Sequence, residues 1–247
     1  MAEPPEIEVI RPDWQAPSNV RAFTTTRNGG FSHGAWSSLN LGANFGDSPR
    51  HVQQNRHALA RLLPSEPRWL KQVHGTNAVS WDKAKTTGAE ADAIFSSQPG
   101  QVCAVLTADC LPVLFCNQAG TRIAAAHAGW RGLAAGVLEA SVLAMECKPA
   151  DLIAWLGPAI GPQAFEVGRD VYDTFVELNP ENTAAFKPHR DRWLADLYQL
   201  ARHALARVGI HQVFGGGYCT YSEPEYFYSY RRDGVTGRMA SLIWIEK

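Results

Sequence analysis

The sequence has 247 residues, of which 45% are hydrophobic and 19% are charged. This composition supports a sizeable apolar core and carries too little charge for a disordered chain. The formal net charge is −1 and no run of five or six like charges occurs, so nothing predicts binding to nucleic acid or to an anionic membrane. We therefore expect small molecules as partners and a monomer or weak oligomer.

The N-terminal segment, residues 1–10, is acidic and proline-rich and lacks the basic start and apolar core of a signal peptide. No later segment is long and apolar enough to span a bilayer. The five cysteines are an odd number and are scattered, without the density of a disulfide scaffold. We expect a cytoplasmic protein that holds free thiols or metal thiolates.

No repeat or linker divides the chain, so we expect one domain over residues 1–247. The first predicted strand covers residues 19–26, and a long polar loop follows through Gly46. Loops beyond about 12 to 15 residues are often functional. The polar residues of this loop are therefore candidate substrate contacts: Arg27, Ser32, Ser38 and Asn40.

A helix is predicted from Asp47 to about Leu63, because a capping residue and an early proline precede an apolar stripe. Five short apolar runs then predict the strands of a sheet. These runs cover residues 68–73, 77–81, 102–107, 111–116 and 122–127.

The second half of the chain mixes helices and strands. The predicted helices cover residues 130–146, 170–178 and 193–208, and the predicted strands cover residues 152–156, 226–230 and 239–245. We expect the last two strands to form a hairpin whose tip, residues 231–238, is basic. The irregular alternation predicts a mixed α/β fold, with a mixed sheet covered by helices.

Three good metal ligands follow or end apolar strands: His74, Cys110 and His127. Two imidazoles and a thiolate match the ligands of catalytic zinc, where three protein ligands leave a fourth position open. Other interpretations remain: Cys110 as a small buried hydrophobic residue, the histidines as core residues, or a Cys/His nucleophilic pair with Asp109 nearby. The spacing does not decide among them.

Eight motifs, in order from about Arg21 to the C-terminal end, together resemble the YfiH family, which is also described as laccase-domain or multicopper polyphenol oxidase-like. The motifs are TRNGGFS (26–32), SLNLG (38–42), QVHG (72–75), ADA (91–93), TADCLP (107–112), HAGWRG (127–132), GPAIGP (157–162) and YRRDGVTGR (230–238).

The resemblance implies a YfiH-like layered sandwich, with two packed mixed β-sheets flanked by helices. It places the family's metal ligands on His74, Cys110 and His127 and implies one zinc ion, with copper possible. It also implies phosphorolysis of adenosine, guanosine, inosine and 5′-methylthioadenosine, with adenosine deamination as a second activity. A bacterial branch is linked to peptidoglycan editing, in which an amidase removes L-serine from UDP-MurNAc-L-Ser.

A laccase-like activity fits the residues poorly. A multicopper oxidase uses many histidines in His-x-His pairs, whereas this chain has eight histidines and no such pair. A lone His₂Cys site resembles blue copper, but such sites usually add an axial methionine. Met145 and Met239 fall inside a predicted helix and a predicted strand, so we expect polyphenol oxidation only as a side reaction when copper replaces zinc.

Phosphorolysis needs cations for phosphate, and arginines can make bidentate contacts with it. The candidate substrate-binding residues are Arg27, Asn40, Arg131, Ser229, Arg231, Arg232 and Arg238. Trp130 and Arg131 are expected to open a helix directly after His127, where free backbone N–H groups favour anions. Asp109 is a candidate proton shuttle, or it orients a ligand imidazole. An amidase and a zinc-stabilised binding module remain the alternatives.

Overall fold

A computed structural model describes residues 6–84 and 88–247, so the first five residues of the acidic N-terminal segment lie outside the described residues. Strands β1 to β13 cover Val9–Ile10, Val20–Thr25, Ala78–Ser80, Ala93–Ser96, Cys103–Thr107, Leu111–Asn117, Ile123–Ala128, Leu152–Leu156, Glu166–Val167, Phe186–His189, Arg192–Ala195, Gln212–Gly215 and Met239–Ile245. Helices α1 to α6 cover Pro49–Ala60, Trp130–Ala135, Val137–Ala144, Arg169–Leu178, Leu197–Arg207 and Tyr230–Asp233. Short 3₁₀ helices cover Gly34–Trp36, Pro149–Asp151 and Pro180–Ala185.

The strands form two large sheets and one small one. The four-stranded sheet has the order β1-β2-β13-β5 and is antiparallel throughout. The six-stranded sheet has the order β12-β8-β6-β7-β4-β3 and is parallel only at its two outer pairs. The small antiparallel sheet has the order β10-β11-β9 and was not expected from the sequence.

The two large sheets pack face to face. Between them lie Val105 and Ile243 of the four-stranded sheet and Leu114, Ile123 and Trp155 of the six-stranded sheet. Side chains alternate along each strand, so the neighbouring residues of β5 and β13 point to a second core on the outer face. Both faces are thus buried, which explains why these strands are apolar along their whole length.

Helices cover the outer faces. Leu41 and Leu59, from the long loop and α1, pack on the four-stranded sheet. Leu138 of α3 and Leu200 of α5 belong to the core that covers the six-stranded sheet. The mixed α/β class with two packed sheets flanked by helices is therefore confirmed, although only the six-stranded sheet is mixed. In the described ranges no helix is long and apolar enough to cross a membrane.

The expected hairpin of strands 226–230 and 239–245 is wrong, because only its second strand, β13, is present. Phe227 and Tyr228 are buried outside any strand, and α6 follows them. The physical reason is Arg232, whose guanidinium donates to the backbone carbonyls of Thr220, Tyr221 and Phe227. The Phe227 carbonyl is thus taken by Arg232, and those of Tyr226, Ser229 and Tyr230 accept from Arg27 N, Asp233 N and Gly234 N, so these carbonyls form no strand ladder.

Three other predicted elements have a different type or different bounds in the structure. Residues 193–195 belong to β11 rather than to a helix, and α5 begins after Asp196, whose side chain accepts from Gln199 N. Residues 68–73 make only isolated bridges, at Arg68 and Lys71, instead of a strand. Helix α1 ends at Ala60 rather than Leu63. Strands β1, β4, β9, β10 and β12 were not predicted.

The helix expected over residues 130–146 is divided into α2 and α3 at Gly136. Its φ of 99° is left-handed, and its N–H closes α2 on the carbonyls of Gly132 and Leu133. This conformation suits glycine and penalises residues with a Cβ. The division lets α2 follow the end of β7 while α3 packs on the sheet.

We predict that Gly136→Ala lowers the free energy of unfolding by roughly 1 to 2 kcal/mol, because alanine is strained at this φ. A Cβ there meets only the Glu139 carboxyl group, at 3.6 Å from Oε2 and 3.9 Å from Cδ, so backbone strain rather than a clash is tested. Gly217→Ala is the control, since its Cβ has open space and no left-handed φ. Urea unfolding of both variants checks the prediction, and equal stability would contradict it.

Candidate metal centre

The structure brings together the three predicted ligands. The donor atoms of His74, Cys110 and His127 all lie within 4.8 Å of one another. Cys110 Sγ lies 3.7 Å from His74 Nε2, and the two imidazole rings meet edge to face with centroids 4.8 Å apart. Across residues 6–84 and 88–247, this is the one group of three or more His, Cys, Asp or Glu donors that could hold a metal.

The sheet places two of the ligands. His127 belongs to β7 and lies opposite Pro112 of β6, while Cys110 occupies the turn just before β6. Antiparallel neighbours lie about 5 Å apart, so the end of β6 holds the thiol beside His127. The turn is sharp, because Asp109 has a φ of 90°.

A buried carboxylate, Asp92, organises the third ligand. It accepts the backbone N–H groups of Val73, His74 and Gly75 at 3.2, 2.9 and 2.7 Å. Its Oδ1 also pairs with His127 Nδ1 at 2.9 Å. Because a carboxylate accepts, Nδ1 carries a proton, and Nε2 is the His127 nitrogen that can bind a metal once it gives up its own proton. One side chain therefore fixes both histidines.

The charges of the centre depend on one another. Burial disfavours the Cys110 thiolate, but the charge of His127 and hydrogen bonds from both histidines outweigh burial and lower the pKa of Cys110 to about 6. Burial likewise disfavours a charged His127, yet Cys110 and Asp92 raise its pKa to about 9. Hydrogen bonds from His127, Gly75 and Val73 overcome the burial of Asp92 and hold its pKa below the usual value. At neutral pH, Cys110 is therefore a thiolate and Asp92 a carboxylate, and both negative charges favour a bound cation.

The packing around the ligands leaves no space for a side chain at Gly129. A Cβ there would lie 2.7 Å from His74 Cδ2 and 3.0 Å from Cys110 Sγ. Real Cβ atoms do not approach this closely, so the backbone between β7 and α2 has to be glycine. This glycine lets α2 begin at Trp130, which is the helix start that the sequence predicted.

A cavity of about 570 Å³ opens beside the three ligands. Its apolar wall includes Phe45, Trp69 and Leu106, and its cationic wall includes Arg56 and Arg238. This volume lies within the range of about 300 to 1,000 Å³ that small-molecule sites occupy.

Arg238 is the predicted substrate contact that lines this cavity. Its guanidinium carbon lies 3.7 Å from the centroid of the Phe45 ring, and Nη1 donates to the carbonyls of Thr236 and Gly237. Asn40 is fully buried, and its Oδ1 accepts from Arg238 N. Asn40 therefore positions Arg238.

Other predicted contacts hydrogen-bond within the protein. Arg27 donates to the carbonyls of Ser37 and Pro224, and Arg231 donates to that of Glu166. Ser229 Oγ accepts from Arg232 N at the start of α6. The remaining loop serines do likewise: Ser32 donates to Asp47, and Ser38 donates to Arg27 O.

Two further predicted residues lie close to the ligands in sequence. Arg131 stacks over Trp130, with its guanidinium carbon 4.4 Å from the ring centroid. The Asp109 carboxylate accepts from Thr220 Oγ1 and from Arg231 N, both at 2.6 Å. Its hydrogen bonds thus tie the loop at Thr220 and the start of α6 to the turn that carries Cys110.

Three residues around the centre were not singled out from the sequence: Asp92, Gln72 and Arg56. Gln72 pairs its side-chain amide with both the carbonyl and the N–H of Leu106, each at 2.7 Å, and so replaces the missing strand ladder beside His74. Gln72 and Asp92 stand inside the motifs at 72–75 and 91–93, which gave them no role, whereas Arg56 stands in none of the eight motifs.

Residues 21–246 match the family model described as multi-copper polyphenol oxidoreductase laccase. The chain belongs to this family. It is 55% identical over 240 residues to the purine nucleoside phosphorylase YfiH of Escherichia coli K12, covering 96% of this chain and 99% of that protein. It is 52% identical over 239 residues to the purine nucleoside phosphorylase PA4543 of Pseudomonas aeruginosa, covering 96% and 98%.

Two solved structures have the same fold as this chain. The crystal structure of Neisseria meningitidis protein NMB0706 has 51% identity and a TM-score of 0.93, covering 97% of this chain and 99% of that one. The crystal structure of the Bacillus licheniformis hypothetical protein YfiH has 30% identity and a TM-score of 0.85, covering 92% and 93%. The resemblance to the YfiH family that the motifs indicated is confirmed.

We predict that Asp92→Asn lowers zinc affinity by roughly 10- to 100-fold, because the amide lacks the charge and the second acceptor that hold His74 and His127. Competition with a chromophoric chelator measures the affinity. Glu90→Gln is the matched control, since Glu90 is an exposed carboxylate paired with Lys71. Equal affinities in wild type and Asp92→Asn would show that the carboxylate does not organise the ligands.

We also predict the pH dependence of Cys110 alkylation by iodoacetamide. After chelation the rate should fall only as the pH drops through about 6, whereas an ordinary thiol titrates near 8.5. Added zinc should slow the reaction, because coordination occupies the sulfur. Peptide mass spectrometry identifies the modified cysteine. Fast alkylation that neither zinc nor chelator changes would exclude the ligand role and favour a Cys/His nucleophilic pair.

Proposed function

We propose that this chain is a zinc-dependent purine nucleoside phosphorylase. It transfers the sugar of adenosine, guanosine, inosine or 5′-methylthioadenosine to inorganic phosphate, which gives the free base and the sugar 1-phosphate. The observation that carries the proposal is the convergence of two imidazoles and a thiolate beside a cavity with aromatic and cationic walls. Relatives of nearly the same length carry the name purine nucleoside phosphorylase, which supports it.

The donor set fits zinc. His74, Cys110 and His127 offer the nitrogen and sulfur ligands of catalytic zinc sites, and Asp92 provides the carboxylate that usually supports a ligand imidazole. When bound, zinc supplies a Lewis acid at the wall of the cavity. The protein's part is to keep Cys110 ionised and to hold the two imidazoles with their lone pairs toward the ion.

A multicopper centre does not fit the described part of the chain. One group of three donors cannot hold several copper ions. An axial methionine is not available either: Met239 Sδ accepts from Tyr228 N at 3.1 Å, and Met145 is fully buried in the helical core. Oxidation of polyphenols is therefore at most a side reaction of a copper-loaded site.

Phe45 provides a surface for a purine. It is 39% exposed at the cavity, and Arg238 stacks on its ring. Gly42 makes room for this stack, since a Cβ there would lie 2.5 Å from Phe45 Cδ2. A base stacked on an aromatic ring gains roughly 1 to 3 kcal/mol, and a fixed ring loses little entropy on binding.

Phosphorolysis breaks the bond between C1′ and the purine nitrogen and forms one between C1′ and a phosphate oxygen, while the departing base takes up the proton that the phosphate loses. The developing sugar cation and the phosphate anion have to be held together. Arg238 and Arg56 place positive charge on the cavity wall, where partial burial strengthens the attraction to an anion.

Adenosine deamination is proposed as a second activity of the same centre. It replaces the amino group of the purine with an oxygen from water and releases ammonia, so it needs no phosphate. Deamination also requires the purine ring, rather than the sugar, to lie next to the candidate metal-binding side chains. Phosphate dependence therefore separates the two reactions.

We predict that zinc-loaded protein converts inosine to hypoxanthine and ribose 1-phosphate only when phosphate is present, as measured by chromatography and ³¹P NMR. Cys110→Ser should lose bound zinc and activity together, because a hydroxyl is a far poorer zinc ligand. Cys147→Ser, a partly buried cysteine outside the centre, is the control and should retain both. Metal content is measured by elemental analysis.

No turnover of any purine nucleoside by zinc-loaded protein would contradict the proposal. Assays with UDP-MurNAc-L-Ser would then test the peptidoglycan-editing amidase. Full activity in metal-free protein would contradict the zinc dependence alone.

A further inference from the structure

Arg56 is a cation of the cavity that the sequence motifs do not include. It lies on α1, and its guanidinium carbon stacks over Trp69, 4.4 Å from the ring centroid. Nε and Nη2 both donate to the carbonyl of Leu41, at 3.0 and 2.8 Å. These are its hydrogen bonds among the described residues, so the other N–H donors of the guanidinium remain for a ligand.

Leu41 links Arg56 to Arg238. Its carbonyl accepts from Arg56, and its N–H donates to the carbonyl of Arg238 at 3.2 Å. Both arginines line the cavity, and both stack on an aromatic ring of its wall. Within the described ranges, neither guanidinium forms an ion pair with a carboxylate. Two cations that are held in place and form no ion pair therefore line the same cavity.

We propose that Arg56, together with Arg238, binds the inorganic phosphate co-substrate. This inference rests on the proposed phosphorylase function and names the anion site of the same cavity. A planar guanidinium held from one side by Leu41 can present its remaining donors to phosphate oxygens in a bidentate contact. Arg238 adds the second charge that a phosphate dianion needs.

The environment supports this role. Burial lowers the pKa of Arg56 to about 10 and the nearby Glu66 opposes the shift, so the guanidinium stays protonated at neutral pH. A half-buried cation attracts an anion more strongly than one in open solvent. By contrast, Arg232 donates to three backbone carbonyls and to Asp233, which leaves little for a ligand.

The first test is the kinetics of Arg56→Gln in the zinc-loaded enzyme. We expect KM for phosphate to rise at least about tenfold, because a charged hydrogen-bond donor is lost, while KM for inosine stays within about twofold. Arg61→Gln is the matched control: it removes the same charge near the end of the same helix, but from an exposed position. An unchanged KM for phosphate in Arg56→Gln would overturn the proposal.

A second variant separates binding from structure, because Arg56 also anchors the loop at Leu41. Arg56→Lys keeps the charge and a donor for the Leu41 carbonyl, so its KM for phosphate should lie between those of wild type and Arg56→Gln. A purely structural role would raise both KM values and lower the urea midpoint of Arg56→Gln. That result would also overturn the proposal.

Calorimetric titration of inorganic phosphate into zinc-loaded protein needs no turnover. Phosphate binding that Arg56→Gln weakens at least about tenfold would support the site even if no nucleoside is converted, and only the proposed function would then fail. Turnover that depends on phosphate, with equal phosphate affinity in wild type and Arg56→Gln, would leave the function standing and remove Arg56 from it.

Discussion

The centre depends on one buried carboxylate. Asp92 accepts three consecutive backbone N–H groups and the imidazole of His127, so it joins a loop to a strand that lies far along the chain. His74 has a left-handed φ of 61°, which costs free energy in a residue with a Cβ. The hydrogen bonds to Asp92 offset this strain. The position of His74, the orientation of the His127 ring and a negative charge beside the candidate metal centre all follow from the same side chain.

Short-range patterns predicted the parts of the structure that short-range physics determines. Apolar runs predicted β5, β6, β7, β8 and β13, because strands buried on both faces must be apolar throughout. The candidate ligands His74, Cys110 and His127 were singled out because each follows or ends an apolar run in the sequence, although the run before His74 is not a strand. Their convergence was not derivable from spacing, and it came from the resemblance to a family. The structure shows its physical basis in the pairing of β6 with β7.

Prediction from the sequence was wrong where contacts between distant residues override local conformational preference. Residues 226–230 are aromatic and suit a strand, yet Arg232 folds them around its guanidinium. Trp193 suits a helix, but it stacks on Tyr172 with ring centroids 3.9 Å apart and lies in β11. Arg56 looks like an exposed helical cation, and only the fold reveals that it faces Leu41 and Trp69. Several arginines expected at phosphate donate instead to backbone carbonyls, which a motif cannot show.

The order of the four-stranded sheet affects how the protein matures during synthesis. Strands β2 and β5 do not pair with each other, because β13 lies between them and pairs with both. Until β13 has left the ribosome, β2 and β5 are not joined in one sheet, and the apolar residues that pack against β13 stay exposed. Arg238 immediately precedes β13, so the wall that holds Phe45 is completed at the same late moment. The nascent chain therefore carries its cysteine and histidines before it has a finished cavity, and catalytic competence arrives only with the closing strand.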